Sequence, residues 1–160
     1  MKEKIALLLL FFLPFTGSLM AQVPTVPISI TKNTDMNFGT IAASSGGTVL
    51  LSASGSRTPS GGIILPSFTG TVSAAQFTVT GMPGNTYGIT LPTTNFILSE
   101  SGTGHATMVV NCFTSIPSAT GVLTTGTQTV FVGATLNVGA SQIAGSYTNA
   151  IGFEVTVNYN

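Results

Sequence analysis

The feature that most constrains the fold is a period-two alternation of apolar and polar residues, which is clearest at the end of the chain. There Ile151, Phe153, Val155, Val157 and Tyr159 alternate with small or polar residues, as expected of a strand with one buried face. Four more runs alternate in the same way: Val26, Ile28 and Ile30; Phe77 and Val79; Tyr87, Ile89 and Leu91; and Val130, Val132, Ala134, Leu136 and Val138. The pattern predicts an all-β chain.

Glycine and proline separate the alternating runs. The pairs Gly46-Gly47 and Gly61-Gly62, and the segment 82–85, lie between apolar segments, which is typical of turns. No stretch after residue 21 has helical periodicity. About eight short strands joined by turns predict one domain built as a β-sandwich or a barrel.

The first residues have the pattern of a secretory signal peptide. Lys2 and Lys4 precede an apolar stretch from Ile5 to Phe15, and the small-residue segment 17–21 follows. We predict cleavage after Ala21 and export to the periplasm, the outer cell surface or the extracellular space. A retained membrane anchor is the alternative, but the apolar stretch is shorter than the roughly 20 residues that a transmembrane helix needs. We therefore expect no transmembrane segment in the mature chain.

The predicted mature part has very few charged side chains. Its basic residues are Lys32 and Arg57 and its acidic residues are Asp35, Glu100 and Glu154, so its formal net charge is two minus three, or −1. Nucleic acids and anionic membranes are bound largely through clusters of Lys and Arg, so neither is an expected partner. Weak repulsion between copies suits a chain that assembles, although extracellular monomers that rely on Thr, Ser, Asn and Gly for solvation share this composition.

Cys112 is the only cysteine of the chain. An intramolecular disulfide is therefore impossible despite the export signal. Because Cys112 lies in the largely apolar run 109–113, we predict a small buried apolar residue and not a reactive thiol.

Several segments resemble the bacterial family catalogued as domain of unknown function 4402. The segments are 35–41 (DMNFGTI), 47–49 (GTV), 77–81 (FTVTG), 83–87 (PGNTY), 144–147 (AGSY) and 153–159 (FEVTVNY). The resemblance implies a secreted β-sandwich of Gram-negative bacteria, loosely similar to fimbrial subunits, with no assigned chemistry. We accordingly expect a single immunoglobulin-like antiparallel β-sandwich after the signal peptide, with residues 22–34 as an N-terminal extension or edge strand and 35–160 as the sandwich domain.

The end of the chain also resembles that of chaperone-usher pilins. In those proteins a glycine opens an alternating last strand and a tyrosine is the penultimate residue, and Gly145 and Tyr159 occupy these places. The chain differs from pilins in lacking the disulfide that many of them carry, and its ending from Gly145 to Asn160 is slightly longer. The resemblance implies subunits that join by strand addition.

The mature chain offers few groups for catalysis. A Ser-His-Asp triad would have to use His105 and Asp35, and a pair of carboxylates for glycoside hydrolysis would have to come from Asp35, Glu100 and Glu154. One His and one Cys cannot complete a zinc site, and scattered acids do not suit calcium. We assign no catalytic, cofactor-binding or metal-binding residue, expect no cofactor, and predict that the protein is not an enzyme. A small secreted hydrolase is the least favoured alternative.

The leading hypothesis is a pilin-like or surface-assembly structural subunit, with itself or related surface subunits as partners. The first and last alternating runs are the candidate assembly strands: Val26, Ile28, Ile30, Ile151, Phe153, Val155, Val157 and Tyr159. The first run can pair within its own chain or add to a neighbour, and Pro24 and Pro27 favour an edge position because proline cannot donate to a ladder. The alternative is a monomeric adhesin that binds a glycan or a protein. Sugar-binding sites usually rely on aromatic side chains, and the chain has no Trp and only three Tyr.

Overall fold

The computed structural model describes residues 26–102 and 105–160, and this part of the chain is all-β. Within these ranges no helix is long and apolar enough to cross a membrane. The predicted signal peptide and the cleavage site after Ala21 lie outside the described residues. The described residues form eleven strands: β1 Ser29–Thr34, β2 Ala42–Leu51, β3 Arg57–Ile64, β4 Ala75–Thr80, β5 Thr86–Thr90, β6 Phe96–Glu100, β7 Thr107–Ile116, β8 Thr120–Val122, β9 Thr127–Val138, β10 Tyr147–Thr148 and β11 Thr156–Tyr159.

The larger of the two antiparallel sheets is organised around β9. Its main path runs β1-β4-β9-β7-β6-β10, and β2 pairs with both β9 and β3. One edge of β9 is shared, because Thr127–Val132 pairs with β4 whereas Ala134–Val138 pairs with β2. Gly133 lies between the two halves, where a Cβ atom would collide with the carbonyl oxygen of Leu51. The long alternating run predicted at 130–138 is thereby confirmed as one strand with two neighbours along the same edge.

The smaller sheet has the order β11-β5-β8 and packs over the β1-β4 end of the larger sheet. Between the two sheets lies the first core cluster, whose buried members are Ala75, Phe77, Val79, Tyr87, Leu123, Val130, Val132, Val155 and Val157. The residues predicted to face inward on β4, β5 and β9 all contribute to it or to the second cluster. The expectation of an all-β antiparallel sandwich is therefore confirmed.

The second core cluster lies on the other half of the larger sheet. Its buried members are Phe38, Val49, Leu51, Ile63, Val110, Ala134, Leu136 and Val138. Partly buried side chains from the segments 36–41 and 65–72, such as Met36 and Val72, pack against it. Among the described residues, no strand of the smaller sheet contributes to this cluster, and irregular chain packs against it instead.

Two glycine pairs predicted as turns lie inside strands instead. Gly46-Gly47 belongs to β2 and Gly61-Gly62 to β3, and Gly47 is the cross-strand partner of Gly61. The ladder is irregular between Ala43 and Gly47, and Gly46 has a φ of 81°. The prediction was wrong because a β-bulge needs glycine for the same reason as a turn, namely a backbone conformation that other residues adopt at a cost.

Cys112 is exposed, which contradicts the prediction of a buried residue. β7 carries an irregularity between Asn111 and Thr114, and Cys112 itself has a φ of 51°. An inserted residue reverses the alternation beyond it, so Val110 and Ser115 are buried while Cys112 lies on the outer side of the strand. The bulge, and not the apolar neighbours of Cys112, determines which way its side chain points.

Candidate assembly surfaces

The first candidate strand is an edge strand of its own chain. β1 is antiparallel to β4, with Ser29 opposite Thr80, Ile30 opposite Val79 and Thr31 opposite Thr78. The side chains of Ile28 and Ile30 pack against the first core cluster, whereas Val26 is outside the ladder and 46% exposed. The sequence left open whether the first run pairs within its own chain or with a neighbour. In the structure it pairs within its own chain, and the pairing begins at Ser29 and not at Val26.

Side-chain hydrogen bonds add to the backbone ladder on the outer face of β1 and β4. The hydroxyls of Ser29 and Thr80 are 2.7 Å apart, and the Asn33 amide donates to Thr78 Oγ1 at 2.9 Å. All four groups are largely in water, where one such bond contributes only about 0.5–1.5 kcal/mol. β1 is therefore held mainly by one ladder and by two apolar side chains.

Two features hinder the addition of a strand from another molecule to the outer edge of β1. The hydrogen-bond ladder between β1 and β4 is irregular between Lys32 and Thr34. Lys32 lies opposite the buried Phe77, so the Lys32 side chain points to the face of the sheet that carries the core. The Lys32 ammonium forms a salt bridge with Asp35 Oδ1 at 2.5 Å. A bulge and an inward-pointing lysine are common means of preventing edge-to-edge aggregation.

The outer strand β3, at another edge of the larger sheet, is protected differently. Pro59 is the cross-strand partner of Val49 and has no N–H group to offer to an added strand. Among the described strands, β10 and β8 end their sheets with two and three residues respectively, which is too short for a stable ladder with a neighbour.

The last candidate strand is shorter than its alternation predicts. β11 begins at Thr156, and Val155 and Val157 are buried as expected. Ile151 is 94% exposed and belongs to no strand, so its predicted place on the apolar face is wrong. The Asn149 side-chain carbonyl accepts from the N–H groups of Ile151 and Gly152, and Gly152 has a φ of 74°. The chain turns at this corner because it must cross from the larger sheet to the smaller one.

Phe153 is the first residue beyond this corner to point inward. Its ring contacts Phe77, Phe96 and Phe113 with centroid separations of 6.0, 6.1 and 5.0 Å. Tilted and edge-on ring pairs at such distances are favourable beyond their area of burial. Phe153 thus joins strands from both halves of the larger sheet, a role that its place in the alternating run does not reveal.

Tyr159 connects the last strand to the first. Its hydroxyl donates to the Val26 carbonyl at 2.8 Å and accepts from the Met82 N–H at 2.6 Å. The penultimate tyrosine therefore fixes the segment that leads into β1, and the two candidate assembly strands meet at one end of the sandwich.

A groove opens beside the second core cluster, with a volume of about 640 Å³. Its floor is formed by side chains of β6, β7 and β9, including Leu98, Met108 and Leu136, and its walls by the segments 35–41 and 145–149. Arg57 supports one wall, because its Nη1 donates to the carbonyls of Phe38 and Thr40 at 2.6 and 3.1 Å. Nothing in the sequence pattern indicated this groove, since its walls are irregular.

The ionisable residues considered for catalysis are dispersed. The Glu100 carboxylate accepts from the Gly102 N–H at 2.7 Å, His105 lies in a loop next to β7 and is exposed, and Glu154 is exposed just before β11. Asp35 is engaged with Lys32. No group of three or more His, Cys, Asp or Glu side chains suited to a metal ion occurs in the described part of the chain.

Comparison with known proteins gives one family. A family model described as a domain of unknown function (DUF4402) matches residues 28–159. No curated protein matches the chain significantly. The matched range extends from just before β1 to the last residue of β11, and so includes every strand described above. The chain therefore belongs to the DUF4402 family, as its sequence resemblance predicted.

Proposed function

We propose that this protein is a non-catalytic structural subunit of a bacterial cell-surface assembly, and that neighbouring copies are joined by exchange of β1. The observation that carries the proposal is the attachment of β1, which is hydrogen-bonded to β4 alone among the described strands. An N-terminal edge strand with one ladder can leave its place without breaking the rest of the sheet.

Exchange costs little once a neighbour is present. The β1 strand of a second copy would reform the same ladder with β4 and return Ile28 and Ile30 to the same apolar cluster. Exchange of an identical element preserves every native contact, so its free-energy cost is confined to association and to the connecting segment. Here that segment is the short stretch between Thr34 and Asn37, because Asn37 is already bridged to Ser73 and Phe38 is buried in the second core cluster.

Protected edges restrict the ways in which copies can join. The bulge and Lys32 in β1 disfavour addition of a strand to its outer edge, and Pro59 does the same for β3. Exchange of β1 requires neither outer edge to be open. The low net charge of the predicted mature chain also reduces repulsion between copies at close approach.

Cysteine cross-linking between separate chains tests the exchange. In a Cys112→Ser background, Thr31→Cys and Thr78→Cys are placed on different copies and co-expressed with the signal sequence intact. Cross-strand partners have Cα separations within the range of a disulfide, so the pair should give a covalent dimer on non-reducing electrophoresis. Each variant alone, and Thr31→Cys with Thr58→Cys on β3, serve as controls for random contact.

The contrary result is equally clear. If the double variant Thr31→Cys/Thr78→Cys closes an internal disulfide while the mixed pair gives no more dimer than the controls, β1 stays in its own chain. Exchange would then be rejected, and a monomeric adhesin would become the better description.

A further inference from the structure

The outer face of the larger sheet carries a regular array of hydroxyl side chains. On each of β1, β4 and β9, two hydroxyl residues point outward and are separated by one residue that points inward. The three strands are in register, so these side chains form two rows across the sheet. Neighbouring strands are about 4.8 Å apart, and same-face residues of one strand about 6.8 Å. This hydroxyl face consists of Ser29, Thr80 and Thr127 in one row and Thr31, Thr78 and Thr129 in the next.

Hydrogen bonds hold part of the hydroxyl face in place. The hydroxyls of Ser29 and Thr80 are 2.7 Å apart, and the Asn33 amide donates to Thr78 Oγ1 at 2.9 Å. A hydroxyl has one donor and two acceptor sites, so these bonds leave capacity for a ligand. Thr127 and Thr129 are exposed on β9 and present their hydroxyls to the solvent.

An exposed apolar pair borders the hydroxyl face. Phe131 and Ile116 are cross-strand partners and are 38% and 54% exposed. Gln76 lies opposite Phe131 on β4, and Thr129 is the preceding residue of the same strand face. β-propensity explains threonine on a solvent face but not an aromatic ring placed beside an exposed isoleucine. The ring and the groups around it combine an apolar surface with hydrogen-bonding side chains.

The hydroxyl face and the apolar pair carry no charge, and the charged residues of the predicted mature chain lie elsewhere. Lys32 and Arg57 are cross-strand partners of the buried Phe77 and Leu51, so both belong to the core-facing side. Asp35 precedes β2, Glu100 follows the core-packed Leu98 on the same side of β6, and Glu154 precedes β11 of the smaller sheet.

This chemistry distinguishes between classes of partner. About a quarter of the residues of an average protein are charged, and charges brought against this face would lose water without gaining a counter-charge. Lipid surfaces attract basic or strongly amphipathic segments, which the hydroxyl face is not. A neutral polysaccharide offers closely spaced hydroxyls that both donate and accept, and the C–H faces of its rings pack on aromatic side chains.

The geometry of the sheet also suits an extended sugar chain. The spacing between strands is close to the length of one pyranose unit, so successive units can meet successive strands. Adjacent strands are rotated by about 20–25°. A flexible polymer can follow this twist, whereas a flat crystalline surface cannot.

We propose that the outer face of β1, β4 and β9 binds a neutral polysaccharide. One sugar ring packs on Phe131, and neighbouring units form hydrogen bonds with the rows of hydroxyls. Each such bond is weak in water, but copies joined in an assembly bind the same polymer many times over. This activity goes beyond the proposed structural role and does not require it, because exchange of β1 rebuilds the same face from two chains.

Retention by insoluble neutral glucans tests the proposal. The protein purified after export is mixed with swollen amorphous cellulose, the β-1,3-glucan curdlan and cross-linked dextran, and binding isotherms are measured by depletion. We expect retention by at least one of the three, since a ring and an array of hydroxyls read the polymer type more than its linkage. Carboxymethylated cellulose should retain less than the neutral form, because the face has no cation to pair with it.

Variants on the face identify the surface that binds. Phe131→Ala should raise the dissociation constant about tenfold or more. Thr127→Val/Thr129→Val removes two hydroxyls and preserves the shape of both side chains, and it should raise the constant about 5- to 30-fold. The matched control is Thr86→Val/Thr156→Val, which makes the same change at exposed positions of the smaller sheet and should leave retention unchanged. Urea denaturation checks that each variant is folded.

Three results would overturn the proposal. The first is no retention by any of the three glucans, and the second is retention that the β9 variants weaken no more than the control does. The third is stronger retention of Thr127→Val/Thr129→Val, which would indicate apolar adsorption in place of hydrogen bonding. A dimer that Phe131→Ala dissociates in the absence of any glycan would assign the face to a second copy instead. None of these outcomes affects the cross-linking test of β1 exchange, which uses other variants and no glycan.

Discussion

The hydroxyl of Tyr159 donates a hydrogen bond to the carbonyl of Val26 across 133 residues of chain, at 2.8 Å. The same hydroxyl accepts from the Met82 N–H, so one phenol ties the lead-in to β1, the last strand and the turn after β4. This contact anchors the segment that leads into β1.

Tyr159→Phe is expected to destabilise the fold by about 1–2 kcal/mol, since it leaves a backbone donor and a backbone acceptor without their partner. Urea denaturation measures the loss. The substitution should also raise the yield of the Thr31→Cys with Thr78→Cys intermolecular cross-link, because β1 is released more readily. Tyr147→Phe is the control: it removes a hydroxyl bonded to Ile143 and Gln142, and it should lower stability without changing the cross-link.

Tyr87 should make the protein less stable in alkali. It is fully buried, its hydroxyl donates to Gln128 Oε1 at 2.8 Å, and burial raises the pKa of this phenol above its usual value of 10.0. A raised folded-state pKa gives stability that is complete below the unfolded pKa and is lost as the pH rises through the folded one. The unfolding free energy from pH 8 to 11 should therefore fall less steeply in Tyr87→Phe. Gln128→Leu removes the hydrogen bond of the Tyr87 hydroxyl but keeps the buried phenol. If the unfolding free energy of Gln128→Leu fell as little with pH as that of Tyr87→Phe, burial of the phenol would not be the cause.

Gly133→Ala should be among the most damaging small substitutions in the chain. Its Cβ would collide with the Leu51 carbonyl and with the backbone at Ser52 and Ala53, so β2 or β9 must shift. We expect a loss of about 2–4 kcal/mol in urea denaturation. Gly88→Ala in β5 is the matched control, because its Cβ would meet the Asn160 side chain at 3.3 Å and the Asn158 carbonyl oxygen at an ordinary contact distance of 3.9 Å; little change or a small gain is expected. Similar losses for both would argue against crowding as the cause.

Phe153 and Ile151 should differ sharply although they alternate in the same run. Phe153→Ala removes three ring contacts and is expected to cost about 2–4 kcal/mol. Ile151→Ser, at a side chain that is 94% exposed, should change the unfolding free energy of the monomer by less than about 0.5 kcal/mol. Equal losses of unfolding free energy at the two positions would indicate that residues 151–159 form the continuous strand that the alternation predicts.

Cys112 should react with a thiol reagent in the folded protein. Because its side chain is exposed at the β7 bulge, we expect labelling in native buffer at a rate within about tenfold of the unfolded chain in urea. Cys112→Ser should leave stability within about 0.5 kcal/mol of the wild type. Protection of the thiol until unfolding would show that the bulge is absent in solution.

The sequence by itself determined the fold class and most of the core. Alternation identifies the inward residues of a strand, because successive side chains point to opposite faces. The buried positions on β4 and β9, and Val155 and Val157 near the end, follow that rule. Of the glycine and proline segments, 82–85 does separate two strands, whereas Gly46-Gly47 and Gly61-Gly62 lie within strands. The family followed from short motifs in strands and turns.

Only the tertiary structure decided which strands are neighbours and where alternation stops. Every strand offers the same backbone donors and acceptors, so the pattern of the first run could not say whether it pairs with β4 of its own chain or with another copy. A bulge reverses the phase beyond it, which places Cys112 outside. The crossing between the two sheets keeps Ile151 out of β11, which begins only at Thr156. The groove escaped prediction for a related reason: its walls are irregular segments brought together by contacts between residues far apart in sequence, and no local period encodes such contacts.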